Sequence, residues 1–117
     1  MILCGIQIDE QVVDFVQDFL NTSVGSIDLA TSANADPAPD LMDVAPDGQY
    51  VFVTLRGQTP LTGNDKDAHN AKGTIPGVGV IHVDAEGRVG HYKGQTVVTN
   101  MKEGKETADA HGIAVRK

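Results

Sequence analysis

The residues best suited to chemistry lie close together in one polar stretch, Asn64-Asp65-Lys66-Asp67-Ala68-His69-Asn70. Asp65, Asp67 and His69 recur at every second position, and Asn64 precedes them. Oxygen donors at alternate positions are what a Ca2+ ion uses. The stretch lacks the central glycine and the closing bidentate glutamate of an EF-hand, so a solvated loop is the competing reading. Asn64, Asp65, Asp67 and His69 are therefore the candidate metal ligands, and Ca2+ is the candidate cofactor. The four histidines, His69, His82, His91 and His111, show neither the helical i,i+4 pairing nor the paired-cysteine context of a zinc site. Cys4 is the single cysteine, which excludes an intrachain disulfide and a C-x-x-C motif. It sits in the apolar run Ile2–Ile6, where a small buried hydrophobe is expected. No glycine-rich phosphate loop joins a strand to a helix, and no nucleophile elbow is present. Catalytic residues are not assigned.

These groups need elements to position them. The clearest are the runs Leu41-Met42-Asp43-Val44-Ala45 and Gln49-Tyr50-Val51-Phe52-Val53-Thr54-Leu55, joined by Pro46-Asp47-Gly48. Pro46 presets the first turn position, and Gly48 accepts the positive φ that closes a hairpin. The second run is rich in β-branched and aromatic residues, which suit a pleated, half-buried surface. A third strand is expected over 77–84 and a fourth over 88–93, continuing near 96–98. Between the second and third strands, the segment 57–76 has no hydrophobic periodicity. Loops of that length in compact domains are functional or disordered.

Composition sets the outer limits. At 117 residues the chain is one domain. Hydrophobic residues make up 40% but aromatics only 4%, with no tryptophan, so the core must be aliphatic. Thirteen glycines and five prolines argue for short elements and many turns, against a long-helix bundle. No apolar run approaches the ~20 residues of a membrane span, so membrane insertion is not expected. Nine basic against sixteen acidic residues give a net charge of −7. The densest basic stretch, Lys102 to Lys105, is broken by Glu103, and nucleic-acid partners need clustered positive charge. No signal peptide is visible, and as written the chain would stay in the cytoplasm of its producer.

The sequence also repeats itself. Laid over the Val44 region, Ile6–Val16 places Asp9 on Asp47 and Gln11 on Gln49, with Ile6, Val13 and Phe15 on Val44, Val51 and Val53. Val24-Gly25-Ser26-Ile27-Asp28-Leu29 matches Val78-Gly79-Val80-Ile81-His82-Val83. The wider spacing of the second match marks 57–76 as an insertion. A first unit then covers 2–31, a second 38–100, and the opening strand of a third begins at 111. Gln11–Leu20 also has the spacing of an amphipathic helix, but the register match assigns 11–17 to a strand.

These residues resemble the YVTN family of β-propeller repeats. Val24–Thr31 is similar to its "V-s-V-I-D-t-a-T" strand, Val44–Thr54 to its "v-s-P-D-G-k-x-v-Y-V-t" hairpin, and His111–Val115 to the start of its next blade. The first unit departs from the pattern, with Asp9-Glu10 in place of P-D-G. The resemblance implies an all-β fold of four-stranded antiparallel meanders, about two propeller blades in an incomplete ring. Complete rings of this kind have about six to eight blades. A blade buries its faces against two neighbours, so two alone leave apolar faces open. The implied partners are further copies in a homo-oligomer or the remaining blades of a longer propeller. The implied function is a non-catalytic binding scaffold, with a lactonase-like or quinoprotein-like propeller enzyme as the alternative. Ligands of such folds sit at the channel mouth, which singles out Asp36, Asp40, Asp109 and His111. Relatives in this family are often exported or surface-attached.

Overall fold

Alternation of side chains across a pleat decides where the strands lie. Gly77–Asp84 alternates buried and half-buried residues along its length, as a strand covered on one face must. The computed structural model describes residues 4–9, 12–17, 22–59, 72–84 and 88–116. It is all-β, with no helix among the described residues. Nine strands follow in chain order: β1 (Cys4–Asp9), β2 (Val12–Gln17), β3 (Thr22–Asp28), β4 (Pro39–Val44), β5 (Tyr50–Leu55), β6 (Gly77–Asp84), β7 (Val89–Val97), β8 (Met101–Lys102) and β9 (Lys105–Glu106). Residues 12–17 form a strand, as the internal register match requires, and not the helix that their spacing also permits.

The strands form two antiparallel meanders and a small hairpin. β4, β5, β6 and β7 make a four-stranded sheet in sequential order, and β1, β2 and β3 make a three-stranded one. Among the described residues the first sheet has three strands where a four-stranded unit was expected. The chain turns away after Asp28, whose carboxylate accepts the Ala30 amide at 2.9 Å. A second turn follows, in which Thr31 N donates to Asn34 O and Thr31 Oγ1 accepts from Asn34 N. Pro37 and Pro39 then withhold two backbone donors, which discourages a continued ladder.

The P-D-G turn closes β4 onto β5. Gly48 N donates to Ala45 O, Ala45 N to Tyr50 O, and the Asp47 carboxylate accepts the Gln49 amide. Gly48 has φ 72°, the left-handed conformation expected of it. β7 runs continuously from Val89 to Val97. Its register slips at Val80/Ile81, where Gly94 pairs with Val80 and Tyr92 with Ile81, so Lys93 is the extra residue of a bulge. The β8–β9 hairpin falls on the acid-interrupted basic stretch, with Glu103 and Gly104 both at positive φ in its turn.

One aliphatic core joins the two sheets. Ile27 of β3 and Leu29 just beyond it pack with Val51, Val53 and Leu55 of β5 and Ile81 and Val83 of β6, flanked by Met42 and Tyr92. Burying each such side chain contributes about 1.5–3 kcal/mol. The register puts Val51, Val53, Gly79 and Ile81 on this covered face. Tyr50, Phe52, Val78, Val80 and His82 fall on the other face and are not fully buried, whereas Thr54 at its end is.

Candidate functional site

β4 begins and β5 ends at the same end of the four-stranded sheet, since Pro39 pairs with Leu55. Asp40 lies on β4 there, and Arg56 directly follows β5. The last segment of the chain brings Asp109 and His111 to the same place. Arg56 is the centre of the cluster. Its Nε donates to Asp109 Oδ1 at 2.6 Å and its Nη2 to Asp109 Oδ2 at 2.7 Å, a two-pronged pairing that only a guanidinium makes. Its third arm, Nη1, donates to Asp40 Oδ2 at 2.9 Å. The Arg56 and Asp109 side chains are only 4% and 6% exposed, so this is a buried ion pair. The hydrogen bond to Asp109 holds the guanidinium even more firmly protonated than an ordinary arginine, against the opposing pull of burial. His111 Nδ1 closes the arrangement on Asp40 Oδ2, the oxygen that Arg56 also contacts.

The backbone fits around this pairing. Gly57 N also donates to Asp109 Oδ1, at 3.4 Å. A Cβ on Gly57 would lie 2.0 Å from Ala108 O, so only glycine lets the terminal segment approach this closely. Upstream, the Glu106 carboxylate accepts the amides of Asn100 and Ala108, both at 2.7 Å. Those donors, Asn100 first, lower its pKa below the usual carboxylate range. The β8–β9 hairpin therefore delivers Ala108 and Asp109 in a fixed position.

Three of the four residues expected at a channel mouth, Asp40, Asp109 and His111, thus meet in space. Asp36 does not join them: its carboxylate accepts from Thr74 N at 3.2 Å and Thr74 Oγ1 at 2.6 Å, pinning the end of the long insertion. Arg56, which organises the group, escapes sequence reasoning. The candidate metal ligands Asn64, Asp65, Asp67 and His69 lie outside the described residues. Among the described residues no cluster of three or more acidic, histidine or cysteine side chains could hold a metal ion. Nor, among them, is any helix long and apolar enough to cross a membrane.

The remaining histidines are engaged elsewhere. His82 meets the Tyr50 ring edge-on, with centroids 5.1 Å apart, and His91 Nε2 lies 3.2 Å from Asp84 Oδ2 on the exposed β6–β7 edge. The cluster at Arg56 has the chemistry of a clasp, in which two carboxylates, one guanidinium and one imidazole fix the terminal segment to the sheet. Comparison with known proteins adds no relative, since no family model, no curated protein and no solved structure matches this chain.

Proposed function

We propose that the chain is a non-catalytic β-propeller-type module, a binding and interaction scaffold whose open face is covered by further sheets of the same kind, supplied by other copies or by additional blades. The observation that carries this reading is the packing of two antiparallel meanders on one aliphatic core, with the terminal segment contacting β4. Residues 2–31 and 38–100 would be blade-like units with 57–76 inserted in the second, and 111–117 would open a third. The internal repeat, the P-D-G turn and the similarity to YVTN-type sequences support the same reading. So does the uncovered face itself, where Phe52, Val78 and Val80 are half-buried and Leu41 is exposed. An apolar sheet face of that kind ordinarily marks association.

The test is a charge placed on that face. Phe52 pairs with Asp43 on one side and Val80 on the other, near the middle of the face. By sedimentation velocity the wild-type protein should run as an assembly of several copies. Phe52→Lys should run as a monomer with an unchanged β-sheet circular dichroism spectrum. Equal sedimentation of the two folded proteins would overturn the proposal.

A further inference from the structure

We infer that residues 110–116 form a proton-sensitive strap over β4, held closed by the contact of His111 with Asp40. The segment has no strand partner among the described residues. Its hold on the sheet comes from side chains. His111 reaches Asp40 at the start of β4, Val115 N donates to Asp43 Oδ2 at 2.7 Å further along, and Gly112 lies beside Leu41 between them. The strap is anchored at its root by the buried Arg56–Asp109 pair, which gives it a fixed hinge.

Charge decides which state the proton favours. The groups around His111 are Asp40 on β4, Arg56 beyond β5 and Asp109 at the root of the strap, with Asp43 holding the far end. The Asp40 oxygen that His111 touches is shared with Arg56, so a neutral imidazole meets it without charge and a protonated one adds a second positive partner. A protonated imidazole strengthens the contact with the Asp40 carboxylate. Imidazole is the side chain whose charge ordinarily changes between about pH 5 and 8. Closure is therefore favoured at the acid end of that range and weakens as pH rises through it. His111 is 44% and Asp40 22% exposed, so solvent and salt moderate the effect. Opening frees the Asp43 carboxylate on β4, which the strap otherwise engages through Val115 N. The strap needs no propeller to operate, since every contact in it lies within one chain.

Hydrogen exchange of the intact protein tests this, with peptides covering 110–116 compared at pH 5.5 and pH 8 after correction for intrinsic exchange. Protection of these amides should be about two- to fivefold greater at the lower pH, the size expected of one partly exposed ion pair. His111→Gln should abolish the difference, and His111→Lys, a permanent cation, should retain protection at pH 8. His91 sits on β7, away from the strap, so a change it caused would appear in β7 peptides. A pH difference over 110–116 that persists in His111→Gln would overturn the inference, as would equal protection of the wild-type strap at both pH values.

Discussion

Arg56→Met should lower the free energy of unfolding by about 3–5 kcal/mol, the cost of removing one partner from a buried ion pair. The size follows from what remains behind. Asp109 is nearly as buried as Arg56 and gives both carboxylate oxygens to the guanidinium. Methionine fills similar volume but removes both guanidinium hydrogen bonds from that buried carboxylate, and Asp40 loses Arg56 while keeping His111. The penalty is therefore one of stranded charge and not of lost packing. It follows that Arg56→Met/Asp109→Leu should recover much of the loss, because no unpaired charge then stays buried. Urea denaturation of the wild type, both single variants and the double variant reads the coupling directly. A single-variant loss below about 1 kcal/mol would place the pair among weak surface bridges and contradict the geometry.

Leu29→Ala should cost about 2–5 kcal/mol, the range for truncating a large aliphatic side chain in a closed core. Leu29 has no solvent-exposed surface and directly follows β3 of the first sheet, yet it packs with Val51, Val53, Leu55 and Ile81 of the second. If the sheets share one interior, the cavity left by alanine faces β5 and β6, which strand pairing keeps from collapsing inward. The matched control is Leu41→Ala on the other side. Leu41 is 48% exposed, and its loss should change stability by only about 0.5 kcal/mol. Thermal or urea melts distinguish the two sites. A small effect at Leu29 would mean that the three-stranded sheet contributes little to the core.

Particular residues show what sequence alone makes legible. The β4–β5 hairpin is readable because Pro46 and Gly48 each do something in a turn that few other residues do as well, and the structure puts both to that use. Strand β2 is readable only by comparison within the chain, since Val12, Val13 and Val16 fit helix and strand spacing alike. The β8–β9 hairpin is missed although Gly104 signals its turn, because strands of two residues carry no periodicity. Asp40, Asp109 and His111 are identified as a group, but the reason they meet is Arg56, a single arginine after an apolar strand. A buried guanidinium demands carboxylates, and nothing local says which ones, since Asp109 is distant in sequence. Asp36 has the same residue type and a similar position, yet a nearby threonine hydroxyl takes it instead.

The central claim is that one face of the four-stranded sheet is covered within the chain and the other from outside it. Light scattering after size exclusion tests this most directly, with the wild-type protein followed over about a hundredfold dilution so that mass action is visible. Copies carrying a net charge of −7 repel one another, so added salt should favour the assembled form. A discrete mass of several chains, larger at higher salt, is the predicted result. A single 12.3 kDa species at every concentration, melting cooperatively, would contradict it.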